Sequence, residues 1–479
     1  MGPDDYSLLA YDRGGISYFL RFPERPIEFF WLDFQKYIIG DNSFIGLILL
    51  IISTFLLNIL VFFFLFLLFK DLEKSFLISI IYSVFFSKLD IFHTPINIHI
   101  ITVSSIYITS LIFFQLFLIK NRNIYIIISL FFYIFGIFWY EIGFFLPIFI
   151  LIIYYFEKTN KNFKIFIPFF AILLFYSFYR ITSAFGFGYT SQVPVHEIKL
   201  SSIHYSIIEL FKIYVGRYFI RSIIYGLYQF NNINIFWKFI FLFLNTFCII
   251  FIYNMIKNIK SINLNKNLLK YSFLLFIIFS IPTLLSGSTG ERHTIISSIG
   301  FVIILYYLLY FFGKKWKYIF LPLMFLSFIV CQGNSWSQVV ASRINGEVYN
   351  TLKNNKEILS QSKIVVIDTK SFANNIKHSL INDKTNVLNT YFGAQVFEDW
   401  GLEAMVALAN EKNPKLPQVY IASGGIENID TKNIKIIINS VRKDENISQN
   451  TLMIPKENIF ILDYNFVYKN GFNYGKKIL

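Results

Sequence analysis

The chain has 479 residues, of which 55% are hydrophobic and only 15% are charged. Soluble domains carry about 25% charged residues, so this composition excludes an ordinary soluble protein. The formal net charge is +14, but the basic residues lie in short segments between apolar runs. That placement is typical of a membrane-topology signal, so we expect no nucleic-acid partner.

Long apolar runs predict about ten transmembrane helices. The first run, residues 43–69, contains no charged residue. A run of about 20 apolar residues crosses the hydrocarbon core as a helix, because backbone polar groups cannot remain unpaired in lipid. The other nine helices are predicted at 75–89, 98–119, 124–139, 143–156, 163–180, 233–256, 270–286, 294–312 and 318–332.

The distribution of lysine and arginine predicts the orientation. Every second loop is basic, as in GKKWK at 313–317, whereas loops such as DIFHTPIN at 90–97 are poor in lysine. Basic loops face the cytoplasm. We therefore expect a multi-pass protein of the bacterial inner membrane, with the N-terminal segment, the loop 181–232 and the C-terminal part outside.

Residues 203–229 are apolar but carry Glu209, Lys212, Arg217 and Arg221, which do not form one helical stripe. A span here would also reverse the charge pattern of every later loop. We therefore predict one or two helices that lie in the outer membrane interface.

Residues 333–479 are predicted to form a small extracytoplasmic α/β domain, because charges return and the apolar runs shorten. Helices are expected at 338–360 and 394–411, and strands at 362–368, 417–423, 434–439 and 458–463. The predicted organisation is thus an outer loop with interfacial helices (1–42), a transmembrane domain (43–332) and this α/β domain.

Several ionisable residues fall at the predicted outer face, where they are costly and usually functional. Asp4 and Asp5 form an acidic pair, which suits a general base or a cation site, although a solvated acidic turn is the alternative. Arg25 follows in ERPIEFFW. Glu141 in FWYEIGFFLP is a lone carboxylate, which either has a functional role or packs in an ion pair with an arginine.

A later motif, GSTGERHTIISSIG, places Glu291, Arg292 and His293 before a helix. The fork of Arg292 matches phosphate oxygens, so it suits a lipid-linked phosphate or ordinary lipid headgroups. Arg217 and Arg221 are further phosphate candidates. His93 is a weaker candidate, and the histidines show no metal-ligand spacing, so no zinc site is predicted.

Taken in order, these motifs resemble the polytopic GT-C glycosyltransferases, in particular the protein O-mannosyltransferase-like branch and its bacterial relatives. That branch carries an acidic pair, like Asp4 and Asp5, and an Arg-Pro, like Arg25 and Pro26. It also carries a carboxylate before a proline-bearing helix, like Glu141. A late Glu-Arg-aromatic loop is similar to GERHTIISSIG. The family's first helix has no counterpart here, so we expect that a first helix is missing.

The resemblance implies an inverting hexosyltransferase of cell-envelope polysaccharide biosynthesis. It would transfer a sugar from a polyprenyl-phosphate donor to a glycan, lipid or protein acceptor on the outer membrane face. Asp4 or Asp5 would be the catalytic base, and Arg292, Arg217 or Arg221 would hold the donor phosphate. Some members need no metal and others use Mg²⁺ or Mn²⁺, for which Asp4 or Asp5 would be the ligand.

Two other functions remain open. An O-antigen polymerase or ligase would use arginines and a histidine of a large outer loop, for which Arg217, Arg221 and His204 are candidates. A transporter of a lipid-linked glycan is the second alternative, although no internal repeat is visible in the chain.

Overall fold

A computed structural model describes the chain in segments. These are residues 25–39, 43–85, 97–157, 162–184, 207–208, 210–215, 217–259, 265–286, 294–370, 390–391, 394–395, 399–410, 417–429, 432–441, 447–456, 459–467 and 473–478. Within them the chain forms two compact units. The helical unit comprises the described residues of Arg13–Ile223 and Phe241–Cys331, and the mixed unit includes those of Ile224–Ile240 and Gln332–Leu479.

The described helices follow the apolar runs of the sequence. Their bounds are α1 Pro26–Ile39, α2 Ser43–Phe69, α3 Leu72–Ser83, α4 Ile98–Lys120, α5 Asn123–Ile137, α6 Leu146–Glu157, α7 Ile167–Ala184, α8 Arg217–Asn232, α9 Ile235–Ile256, α10 Lys266–Ser286, α11 Ser297–Leu308, α12 Trp316–Asn354, α13 Lys356–Gln361 and α14 Asp399–Ala409. Short 3₁₀ turns at Glu141–Gly143, Phe163–Phe166 and Leu309–Lys315 connect or extend these helices.

Five described helices are long and apolar enough to cross a membrane, so the chain has the fold of a helical membrane protein. They are Phe44–Phe69, Ile98–Lys120, Phe163–Arg180, Ile235–Ile256 and the run Ser297–Asn354, which is kinked at Gly313. Each of the ten predicted spans overlaps a helix, but α3 and α6 have only 12 residues. The count of about ten spans therefore stays a prediction.

The helices of the helical unit approach one another closely where small residues meet. A side chain at Gly300 on α11 would stand 2.4 Å from the carbonyl oxygen of Ser272 on α10. Ser110 on α4 and Ser129 on α5 donate to each other's carbonyl oxygens at 2.8 and 2.9 Å. Small residues and reciprocal serine bonds are the usual means of packing apolar helices, because lipid and leucine are equally apolar.

Three predicted boundaries are wrong. Helix α3 begins at Leu72 and not at 75, because Asp71 caps it by accepting from the backbone N–H of Lys74 at 3.0 Å. It ends at Ser83, and residues 86–89 of the predicted span lie outside the described residues. The predicted helix at 394–411 begins only at Asp399, because Ala394–Gln395 pairs as a strand with Thr390–Tyr391.

The third error concerns the predicted break between 332 and 338. Helix α12 runs through it without interruption to Asn354. A side chain at Gly333 would stand 1.8 Å from the carbonyl oxygen of Gly226. Gly333 therefore lies inside the helix and serves close packing against α8.

Helix α8 occupies part of the segment predicted to lie in the membrane interface. It has 16 residues and is amphipathic, with its apolar side chains mainly on one side of the helix. Ile220 and Leu227 are exposed, whereas Tyr225 and Gln229 are buried. The position of this helix in the membrane interface stays a prediction.

The mixed unit is built around strand β1, Ile364–Asp368, which pairs in parallel with β4 (Gln418–Ala422) and β8 (Ile459–Val467). Strand β9, Asn473–Ile478, extends this sheet antiparallel to β8. All four predicted strands are confirmed. The described strands that the sequence did not predict are β2 Thr390–Tyr391, β3 Ala394–Gln395, β5 Gly425–Asn428, β7 Ile447–Pro455 and β9.

The sheet of β1 is covered on both faces. Val365 and Ile367 point to one face and join a buried cluster with residues of α12 and α14, such as Val348 and Met405. Val366 points to the other face, where it meets residues of the antiparallel sheet β5-β6-β7, in which β6 covers Asn433–Val441. The result is three layers, with helices, the mainly parallel sheet and the antiparallel sheet in that order.

Candidate functional site

The structure brings together two of the residues selected from the sequence, Arg25 and Glu141. Arg221 is half-buried on α8. Arg217 begins α8, but its side chain is not described. The other candidates lie outside the described residues, namely Asp4, Asp5, His93, Glu291, Arg292 and His293.

Arg25 and Glu141 form a forked ion pair in the helical unit. Nε of Arg25 donates to Oε2 of Glu141 at 3.0 Å, and Nη2 lies 2.9 Å from the same oxygen. The Glu141 side chain is only 19% exposed. Of the two interpretations raised by the sequence, the ion pair with an arginine describes this contact, and it identifies the partner as Arg25.

Glu141 also holds two groups from helix α7. Its Oε1 accepts from the hydroxyl of Tyr176 at 2.8 Å and lies 3.2 Å from Nη2 of Arg180. Residues four apart on a helix share one face, so Tyr176 and Arg180 reach the same carboxylate. Glu141 therefore binds two arginines and one tyrosine.

A second carboxylate extends this cluster. Oε2 of Glu28 lies 3.3 Å from Nη1 of Arg25, and Oε1 of Glu28 lies 3.3 Å from Nε2 of His99. Glu28 and His99 are both buried. The cluster thus runs from His99 through Glu28, Arg25 and Glu141 to Arg180, and we call it the charge cluster.

Every member of the charge cluster lies at or beside the end of a helix. Arg25 precedes α1, and Glu28 and His99 stand in the first turns of α1 and α4. Glu141 lies in the 3₁₀ turn between α5 and α6. Long apolar helices bring their ends to the membrane interface, which is where buried charge is least costly.

Aromatic side chains hold the turn that carries Glu141. The guanidinium carbon of Arg25 lies 4.2 Å from the centre of the Tyr140 ring, a cation–π contact. The hydroxyl of Tyr107 donates to the carbonyl of Tyr140 at 2.8 Å. A side chain at Gly136 or Gly143 would stand 2.8 or 2.3 Å from the Tyr107 ring. Because both positions are glycine, the Tyr107 ring can pack directly against the backbone beside Glu141.

The charges determine the protonation of the cluster. Burial alone would raise the pKa of Glu141, but Arg25 and Arg180 outweigh it and hold that pKa below its ordinary value. Burial would also raise the pKa of Glu28, but the hydrogen bond from His99 and the charge of Arg25 hold that pKa below its ordinary value. Both carboxyls are therefore ionised at neutral pH, which suits binding and orientation better than general base catalysis.

Arg180 differs from Arg25 in having donors to spare. Its side chain is 37% exposed, and the contact to Glu141 is its only hydrogen-bonding contact with described residues. A guanidinium has five N–H groups in a fixed fork, so most of them have no partner among the described residues and suit an added oxyanion.

Tyr176 and Arg180 were not selected from the sequence. The available signal was an arginine near the end of an apolar helix, four residues after a tyrosine.

Among the described residues, no group of three or more histidine, cysteine, aspartate or glutamate side chains is placed to hold a metal. Comparison with protein families, curated proteins and solved structures found no match to the chain.

Proposed function

We propose that the protein is a membrane glycosyltransferase of the bacterial inner membrane with about ten spans and an extracytoplasmic C-terminal domain. It transfers a sugar from a polyprenyl-phosphate donor to a glycan, lipid or protein acceptor on the outer face. The observation that carries this proposal is the donor capacity that Arg180, the last member of the charge cluster, leaves unused among the described residues.

The donor chemistry fits such an arginine. A polyprenyl phosphate enters from the bilayer, so its phosphate arrives at the level where apolar helices end. Arginine binds phosphate oxygens in pairs through its planar fork. Glu141 fixes the position of Arg180 on one side, and Arg25 fixes Glu141 in turn.

The reaction needs a base and a stabilised leaving group. The base removes the proton of an acceptor hydroxyl, whose oxygen attacks the anomeric carbon while the bond from that carbon to the phosphate oxygen breaks. Polyprenyl phosphate leaves with the electron pair, and Arg180 stabilises the charge that develops there. Because Glu28 and Glu141 have lowered pKa values, the role of base falls to Asp4 or Asp5, as the resemblance implies.

The test supplies radiolabelled polyprenyl-phosphate sugars to membranes that contain the full chain and measures label in the polar product. Arg180→Gln should lower transfer by at least 100-fold, since removal of one charge-stabilising donor typically costs a factor of 10² to 10³. Arg180→Lys should restore only part of the rate, because a lysine lacks the fork. Asp4→Asn with Asp5→Asn should abolish transfer.

Arg122→Gln is the matched control, because Arg122 is an exposed arginine that precedes helix α5. Equal transfer by the Arg180→Gln and Arg122→Gln proteins would contradict the assignment of Arg180. Transfer that survives loss of the acidic pair would favour the polymerase or ligase alternative, and movement of intact donor across the membrane without transfer would favour the transporter.

A further inference from the structure

The mixed unit has its own candidate site at the carboxyl edge of its parallel strands. Strand β1 lies between β4 and β8, and all three run in the same direction. The chain leaves β1 toward β4 on one side and later returns to β8 on the other side. In open α/β sheets, ligands bind beyond the carboxyl ends of the strands at such a reversal of strand order.

Two short segments meet at this edge. Asp368 ends β1 and Thr369 and Lys370 follow it, and Ser423 to Gly425 follow β4. The backbone N–H of Thr369 donates to the carbonyl of Ala422 at 3.3 Å, which joins the segments. Strands β1 and β4 therefore end side by side, and each is followed by polar residues.

A glycine makes room for the lysine. Gly425 has a φ of +99°, a conformation that side-chain-bearing residues rarely adopt. A side chain there would stand 2.6 Å from Cδ of Lys370. Gly425 thus allows the stem of Lys370 to lie across the segment that follows β4.

The edge has hydrogen-bond donors without partners. Lys370 is exposed, and its ammonium makes no ion pair or hydrogen bond with a described residue. The hydroxyl of Thr369 is fully buried and likewise has no partner in the described part of the chain. A buried hydroxyl costs stability unless a water or a ligand pairs with it, so Thr369 can accommodate one further partner.

The charge balance selects the kind of ligand. The carboxylate of Asp368 accepts from the backbone N–H of Lys370 at 2.9 Å. The described residues include no group of acidic and histidine side chains fit for a metal. The unused capacity at this edge is an ammonium and a hydroxyl, which match an acceptor-rich anion.

We propose that this edge binds an oxyanion, a phosphate or carboxylate group, through Lys370 and Thr369. The site is separate from the charge cluster and does not depend on the glycosyltransferase proposal. An anionic sugar or a phosphorylated ligand would each present this chemistry.

The test measures the acetylation rate of single lysines in the full-length protein in detergent, by mass spectrometry, during titration with inorganic phosphate. Phosphate should slow acetylation of Lys370 by about fivefold or more at saturation. Lys363 should be unaffected, because it is exposed at the opposite end of the same strand. Acetate in a parallel titration distinguishes a carboxylate site from a site that accepts only phosphate.

Thr369→Val is the decisive variant, since it keeps the shape and removes only the hydroxyl. It should raise the phosphate concentration needed for protection about tenfold, as expected for loss of one bond to a charged group, without lowering the unfolding temperature. Lys363→Gln should leave protection unchanged. Equal acetylation of Lys370 and Lys363 at every phosphate and acetate concentration, or unaltered protection in Thr369→Val, would overturn the proposal.

Discussion

The charge cluster and the carboxyl edge of β1 differ in whether their polar groups have partners in the described part of the protein. In the cluster each charge of Arg25, Glu28 and Glu141 meets an opposite charge inside an apolar helical unit. At the edge, the ammonium of Lys370 and the hydroxyl of Thr369 remain without a described partner. Buried charge must be compensated by the protein itself, whereas a binding edge keeps donors for a ligand.

The largest effect is expected from Glu141→Ala in the charge cluster. It would leave Arg25 and Arg180 without their shared carboxylate, and removal of one partner of a buried ion pair costs about 3–5 kcal/mol. Thermal unfolding in detergent should show a large loss of stability. Glu157→Ala is the control, because this carboxylate is exposed and, among the described residues, accepts a single hydrogen bond, from Tyr271. A similar loss in both variants would show that the cluster has no special role.

Gly143→Ala tests the support beneath the cluster. The new methyl group would stand 2.3 Å from the Tyr107 ring, which is buried and fixed by its bond to Tyr140. Overpacking of this kind costs about 1–3 kcal/mol. Gly346→Ala on α12 is the matched control, since nothing lies within 4 Å of its new methyl. It should be neutral or stabilising, and an equal loss at both positions would refute the role of Tyr107.

Acid should weaken the cluster by a smaller amount. Glu28 and Glu141 have lowered pKa values, so their contribution to stability is complete above the ordinary carboxyl pKa of about 4.3. It is lost as the pH falls through their lowered values. The unfolding temperature should therefore be nearly constant from pH 8 to 6 and fall below about pH 4. Glu28→Gln should reduce that fall, and an unchanged acid profile would contradict the assignment.

The positions of helices and strands were easier to predict from the sequence than the contacts between their side chains. Apolar runs located the helices because a lipid-facing helix needs little besides length and hydrophobicity, and β-branched runs located the central strands. The predicted gap between the helices at 318–332 and 338–360 was wrong, because the packing of Gly333 against Gly226 depends on the fold and is not visible in the sequence. Periodicity also does not show that residues 394 and 395 pair with a neighbouring strand.

The same limit applies to the site. Arg25 and Glu141 were each selected from their local sequence, but they are 116 positions apart and their pairing depends on the fold. Arg180 was missed because an arginine near the end of an apolar helix ordinarily anchors to headgroups. Its role becomes visible only once Glu141 lies beside it.

The long sequence separation of that ion pair also has a consequence for biosynthesis. Arg25 emerges from the ribosome 116 residues before Glu141, an interval of roughly 6–23 s at synthesis rates of about 5–20 residues per second. Throughout this time the guanidinium lacks its main counter-charge and cannot enter lipid cheaply. Helix α1 must therefore remain in water or among the headgroups until α5 and the following turn have been synthesised. Only then can it pack in its final position.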